Sequence, residues 1–471
     1  MSLTGTIPVA EARVRWHHLG WLAILAAVQL TCGLAALRYS WLVAFAPVAA
    51  VLGAVAFVRP KVGLFILAAT LYLRVDLPGL IGVYPGDLIA LLVALGLVPH
   101  LLTHGAGRMG RTRLMLPMLL TLLVFGLSLF AAHDPALGLK NWLRHVQQFW
   151  IIIVTAIVLE PRDTRRLVRW LLFLSIVFAI PVVIEALRID TARRVFGIAS
   201  LFFPFYLCMG ILYCVVAWLL DRAGGRRALW AAIAALLGLG VVATQTREAM
   251  LEIAIGVALC LILIWRWAGR QGDRQLRRRV AKMAIVAALV AILFLSGSLS
   301  YFEAPASRIQ QALQGHSNTI FIRLFLWRTG IQAFLDAPVL GIGLGQIQAW
   351  DQFLPYWRFD PMAMVARGIG AHNDLITYAA ETGVLGLAAL AWLLWTIGRL
   401  GLPAFRQSAD RRQLHDLLIL WVPCLATIAR FAFGTHTFYS LGGLYNCLYF
   451  GMLAAYVMGR AEPRTGTNDE T

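Results

Sequence analysis

Apolar stretches about as long as a bilayer is thick, separated by short arginine-bearing breaks, follow one another from near Gly20 to Met458. A helix needs about 20 such residues to cross the hydrocarbon core, and in lipid its backbone groups must be satisfied within the segment. The pattern therefore predicts an all-α, polytopic integral membrane protein. Stretches of this kind begin near Gly20, Trp41, Val62, Leu88, Leu114, Phe149, Leu167, Leu201, Leu229, Met250, Met283, Leu375, Leu417 and Leu441. The run Val62–Leu73 is short and Leu441–Met458 is broken by Asn446, so these two read either as spans or as interfacial or re-entrant segments. The expectation is about 12–14 transmembrane helices. Composition agrees: 14% of the residues are charged, against roughly 25% in soluble domains.

A formal charge of +18 would suit a nucleic-acid binder, but its distribution points elsewhere. With a cytoplasmic N-terminus, one set of alternate connections holds Arg59 and Lys61, Arg108 to Arg113, Arg162 to Arg169, Arg222 to Arg227, and Arg266 to Lys282. Arg399, Arg406, Arg411, Arg412, Arg460 and Arg464 fall on the same side. That bias orients helices in a bacterial inner membrane, and groove binders do not hide their charge between spans. Membrane lipid, not nucleic acid, is the expected surrounding. No cleavage site is evident before Tyr39, so the first span reads as an uncleaved anchor. The expected organisation is a cytoplasmic N-terminus (1–19), a transmembrane bundle (20–297), a periplasmic loop (298–373), C-terminal transmembrane helices (374–460) and a cytoplasmic tail (461–471). All six cysteines lie in apolar runs and read as small hydrophobes.

The larger loop breaks the rhythm of spans and short turns. It carries Arg308, Arg323, Arg328, Arg358 and Arg367 with aromatic Phe353, Tyr356, Trp357 and Phe359. Within it, Ile320, Phe321, Leu324, Trp327, Ile331, Phe334 and Leu335 recur at helical spacing, with Arg323 and Arg328 off that stripe. This predicts an amphipathic helix along the membrane surface, stopping at Asp336-Ala337-Pro338. Gly341-Ile342-Gly343-Leu344-Gly345 follows. It lacks the strand and soluble helix of a dinucleotide fingerprint, so its glycines imply a tight turn or close approach to something bulky.

Charge at span ends is costly and marks candidates for function. On the outer side these are Arg74, Arg144, Arg188, Arg193, Arg194, Arg247, Arg323, Arg367 and Arg430. Arg247 sits in the turn Thr244-Gln245-Thr246-Arg247-Glu248, where it offers either a planar fork for phosphate or a partner for Glu248. His372, next to Asn373 where the loop meets an apolar span, can accept a proton near neutrality, its ordinary pKa being about 6.5. His133, His145, His316 and His436 read as surface or interface groups. Outer acids are scattered, with no Asp-x-Asp pair, whereas a divalent cation on a diphosphate needs clustered oxygen ligands. Neutralisation of phosphate then falls to arginine, with no metal and no cofactor.

Three segments resemble the O-antigen ligase and polymerase superfamily of bacterial inner-membrane glycosyltransferases. Thr246-Arg247 is similar to the family's Ser-Arg element, with threonine in place of serine. Arg323-Leu324 and Trp327, running into Pro338 through Gly345, form the second. His372-Asn373, followed after nine residues by Gly383-Val384-Leu385-Gly386, resembles the ligase His-Asn motif and is the most specific. The resemblance implies transfer of an undecaprenyl-diphosphate-linked O-antigen to a lipid A–core oligosaccharide hydroxyl at the periplasmic face. On that reading His372 is the base, and Arg247 and Arg323 hold the diphosphate with Arg193, Arg194 or Arg367. Asn373 or Asp374 would orient the imidazole. Polymerase and protein O-oligosaccharyltransferase use the same donor and stay open as alternatives. An anion transporter is a more distant one, because transporters place their site near the midplane.

Overall fold

The computed structural model describes residues 41–72, 85–104, 112–188, 202–295, 318–348, 371–435, 437–438 and 440–461. Every regular element among them is helical. In chain order these are α1 (Trp41–Val58), α2 (Pro60–Thr70), α3 (Pro85–His104), α4 (Met115–Ser128), α5 (Pro135–Val158), α6 (Pro161–Arg188) and α7 (Phe203–Leu220). They continue with α8 (Gly224–Thr244), α9 (Arg247–Arg270), α10 (Arg274–Leu295), α11 (Asn318–Asp336), α12 (Asp374–Arg406), α13 (Arg411–Phe431) and α14 (Ser440–Ala461). The expected span starts fall in or beside these helices, except the one near Gly20, which lies outside the described residues. Six helices (α6, α7, α8, α9, α12 and α13) are long and apolar enough to cross a membrane, and α2, α3 and α4 are shorter apolar helices. The chain is a multi-pass membrane protein.

Each helix takes its place according to how its apolar surface is distributed. α7 is apolar on all sides and almost wholly buried, so it forms the centre with α8, α9 and α13 packed round it. In the same core Tyr206 stacks on Tyr445 from α14, and the Tyr72 hydroxyl donates to the Leu171 carbonyl at 3.0 Å. α4 exposes Leu116, Leu119, Leu120, Leu123 and Leu127, a leucine stripe at helical spacing that suits lipid. The described cysteines are free and buried in the core, as small hydrophobes would be; Cys32 lies outside the described residues.

α5 begins at Pro135, well before the expected start near Phe149. Asp134 caps it by accepting the Leu137 amide at 3.0 Å, and Pro135 occupies the first turn, where its missing N–H costs nothing. Its polar first half is held by protein. His145, expected at a surface or interface, is buried instead. Its Nδ1 lies 2.7 Å from the Asn141 carbonyl, which can only accept, so the proton sits there and Nε2 accepts the Tyr378 hydroxyl at 2.8 Å. A satisfied histidine of this kind is a packing element between α5 and α12.

Among the described residues, the arginine-rich connections gather at one end of the bundle. Trp267 Nε1 donates to Ser408 O (2.9 Å) and Arg411 Nε to Asp273 Oδ2 (3.2 Å), joining the α9–α10 turn to the α12–α13 turn. Arg279 reaches Asp221 O (3.1 Å), Arg165 pairs with Asp416 (2.8 Å) and Lys61 with Asp163 (2.7 Å). α9 and α12 end in this basic region, so their N-termini, at Arg247 and Asp374, lie at the opposite end. The charge asymmetry read along the chain is thus an asymmetry in space.

α12 is not one helix. At Gly383 the backbone turns to φ 63°, ψ −167°, a region that essentially only glycine adopts. The break releases the Ala380 and Glu381 carbonyls and the Val384 and Leu385 amides from helical bonding. The glycine run after α11 takes up all four groups. Ile342 N–H donates to Ala380 O (2.9 Å), Gly343 N–H to Glu381 O (3.1 Å), Val384 N–H to Pro338 O (2.8 Å) and Leu385 N–H to Val339 O (3.4 Å). The close approach expected of these glycines is therefore to the main chain of a broken helix. A Cβ at Gly341, itself at φ 72°, would overlap the Glu381–Thr382 peptide, and one at Gly383 would overlap that of Val339. Gly383→Ala is expected to lose at least the roughly 1–3 kcal/mol of such backbone strain, read as a lower melting temperature in detergent. An unchanged value would show that the break does not need glycine.

Candidate active site

At the end opposite the basic connections, four chain segments converge. α9 starts with Arg247 and Glu248 after a turn in which Gln245 is left-handed (φ 51°) and Thr246 is extended. No side chain caps this start; the Thr246 hydroxyl donates back to Thr244 O at 3.3 Å. The first amides of α9 and the positive end of its dipole therefore add to the half-buried Arg247.

α11 brings Arg323. The helix runs over Asn318–Asp336 much as expected, with Leu324, Ile331 and Leu335 of the anticipated apolar stripe exposed. Its opposite face, with Phe325, Leu326 and Ala333, packs on Ile347, Ala371 and Ala380. Gly330 lets α11 come close to Ile376 at the start of α12. Arg323 Nη2 contacts Glu248 Oε1 at 2.9 Å. Glu248 thus turns to Arg323, across 75 residues of chain, rather than to its neighbour Arg247.

His372 stands just ahead of α12, half-buried, with its backbone left-handed at φ 50°. Asn373 makes this possible. Its side-chain oxygen caps α12 by accepting the Ile376 amide (3.1 Å), and its nitrogen donates to Ala432 O (3.3 Å). Both amide atoms serve the main chain, so Asn373 places the imidazole through the backbone. Asp374 behaves in the same way, its amide donating to Gly434 O (2.8 Å) and its carboxylate accepting the Thr437 amide (2.8 Å). Burial holds the His372 pKa below its ordinary value, the Arg323 charge pushes the same way, and Glu248 opposes both. The result is an imidazole biased toward its neutral form.

The connection from α13 to α14 closes the group. Thr435 donates its hydroxyl (3.1 Å) and amide (3.3 Å) to Glu248 Oε2. Arg430, expected as an outer span-end residue, is fully buried beneath this turn. Its Nε lies 3.2 Å from Glu252 Oε2, its Nη1 donates to Thr435 O (2.7 Å) and its guanidinium covers the Phe205 ring at 4.2 Å. Glu248 and Glu252 are one turn apart on α9, each meeting an arginine from another helix. Acids at i and i+4 entering an apolar span were the signal available in the sequence for both. Of the residues expected at the site, Arg247, Arg323, His372 and Asn373 come together; Arg193, Arg194 and Arg367 lie outside the described residues.

The family comparison covers this same region. Residues 232–391 match the family model described as O-Antigen ligase. The exopolysaccharide production protein ExoQ of Rhizobium meliloti (strain 1021) is 24% identical over 282 residues, 57% of this chain and 61% of that protein. The matched segment therefore spans less than two thirds of the relative's length. The segment that the family model matches holds α9, the start of α12 and the glycine splice between them, that is, Arg247, Arg323 and His372 together. Over residues 232–391 the chain is thus similar to the O-antigen ligase family, and its similarity to the exopolysaccharide production protein points the same way.

Proposed function

We propose that the chain transfers O-antigen polysaccharide from undecaprenyl diphosphate to a hydroxyl of the lipid A–core oligosaccharide, at the periplasmic face of the inner membrane. The observation that carries the reading is a half-buried His372 at the same end of the bundle as Arg323 and the N-terminus of α9. The acceptor oxygen attacks the anomeric carbon while its proton passes to His372. The bond from that carbon to the diphosphate oxygen breaks, and the diphosphate leaves carrying the electron pair. One displacement inverts the anomeric centre. Diphosphate is already a good leaving group, so the protein's task is to stabilise the charge that gathers on it. Arg247 and Arg323 do so, with Arg193, Arg194 and Arg367 as further candidates. Guanidinium neutralisation makes the reaction independent of metal. The clustering of basic connections at the far end supports a cytoplasmic location for that end and a periplasmic one for the site.

Purified protein mixed with carrier-linked O-antigen and defined lipid A–core should yield capped lipopolysaccharide, undiminished by EDTA. Inhibition by EDTA reversed by Mg²⁺ would overturn the metal-independent mechanism. The pH profile gives a second reading. Only neutral His372 acts as base and its pKa is depressed, so the acid limb of kcat/KM should lie below the ordinary imidazole value of about 6.5. Arg323→Gln removes a cation that favours the neutral form, so the limb should move to higher pH. A wild-type limb above 6.5 would exclude His372 in this state.

The relative's name, an exopolysaccharide production protein, favours a second reading in which polymer units are joined to one another. Deletion separates the two. Loss of a ligase leaves bare core with polymer retained on the carrier, and loss of a polymerase leaves core bearing a single repeat.

A further inference from the structure

Glu248 holds a position that the transfer chemistry does not explain. It is an acid beside the expected diphosphate site, where an anion by itself would repel the donor. Yet its two oxygens are divided between two different segments. Oε1 takes Arg323 Nη2 from α11 (2.9 Å), while Oε2 takes the hydroxyl and amide of Thr435 from the α13–α14 connection (3.1 and 3.3 Å). Thr435 is anchored from below through its carbonyl by Arg430, which is itself paired with Glu252. The carboxylate is thus mounted on a fixed support, and Arg323 is mounted on the carboxylate. The guanidinium meets Glu248 through one nitrogen, not through the two-pronged fork that arginine and carboxylate form at their strongest, so its planar edge is not saturated. An arginine side chain on a surface helix has many rotamers, and holding it in one lowers the entropy lost when an anion arrives.

We propose that Glu248 is a positioning residue that holds Arg323 oriented for the diphosphate of the donor. The proposal rests on the donor reading given above. Glu248 accounts for three otherwise separate facts: an acid at an anion site, its division between α11 and the α13–α14 turn, and the buried ion pair beneath that turn.

The test is binding of undecaprenyl diphosphate, without sugar, to the purified full chain in nanodiscs. Arg323→Gln should weaken binding about tenfold or more, as expected for one charge-assisted bond. Glu248→Gln, which keeps the shape but loses the charge, should weaken it by a similar factor, and Glu248→Asp should restore most of it. Because Glu248 acts through Arg323, adding Glu248→Gln to Arg323→Gln should change binding by less than about twofold. A purely structural role would instead make the double variant weaker than either single one. Thr435→Val, which removes only the hydroxyl anchor, should fall between wild type and Glu248→Gln, and covers the case in which the latter does not fold. Tighter binding by Glu248→Gln would mean that the acid competes with the donor, and would overturn the proposal. So would additive losses, or Glu248→Gln binding equal to wild type. Failure of the wild-type protein to bind the lipid would overturn the donor reading and this proposal with it.

Discussion

Replacement of His372 by asparagine is expected to cut transfer by about 10²–10⁴-fold, the usual worth of a positioned base, while the protein stays folded. Asparagine is preferable to alanine because the position is left-handed at φ 50°, and asparagine tolerates that region better than other non-glycine residues. The backbone that presents His372 is held by Asn373 and Asp374 through Ile376, Ala432, Gly434 and Thr437. None of these bonds uses the imidazole. The variant should therefore melt close to wild type and bind the carrier diphosphate nearly as well, with the loss confined to kcat. Capped product at wild-type rate, from protein present at normal levels, would end the assignment. A large fall in melting temperature would instead make His372 a structural residue.

The second large effect concerns stability. Arg430→Met strands Glu252 as an unpaired charge in a site where both partners are inaccessible to solvent. Removing one member of such a pair typically costs about 3–5 kcal/mol, whereas replacing both with apolar groups of similar volume is often close to neutral. Arg430→Met should accordingly give low yield and a sharply lower melting temperature, and Glu252→Leu together with Arg430→Met should recover most of both. Activity should not recover with it. The double variant still lacks the Nη1 bond to Thr435 O, so the turn that carries Glu248's anchor is left loose. Equal stability of the single and double variants would refute the account of the pair, and full activity in the double variant would refute its link to the site.

Much of the bundle was legible because lipid imposes a rule that can be read one residue at a time. A span must hold a long apolar run, so the runs from Leu167, Leu229 and Leu417, each five or six residues inside its helix, could be read directly. α5 departs further: the polar Asn141, His145 and Gln148 of its first half are buried in protein, so the apolar run begins fourteen residues inside the helix that starts at Pro135. Only the Asp134-Pro135 cap signalled the true start. His372-Asn373 was legible as a motif, and Asn373 is also an ordinary N-cap residue, which is the role its side chain fills. What could not be read was pairing across distance. Glu248 beside Arg247 suggests a local pair, and only the packing of α11 on α12 brings Arg323 to it instead. Arg430 showed its cost but not its partner, since Glu252 belongs to another helix. The glycines announced close approach without naming the broken helix that they approach.

That break has a consequence for how the site behaves in a living membrane. Bilayers fluctuate in thickness, and long helices tilt and slide to follow them. The N-terminal piece of α12, from Asp374 to Thr382, is severed at Gly383 from the rest of its helix and joined by backbone bonds to the segment that continues α11. His372 at its tip and Arg323 on α11 therefore travel as parts of one block. The separation between the His372 imidazole and the Arg323 guanidinium is set within that block, as on a ruler.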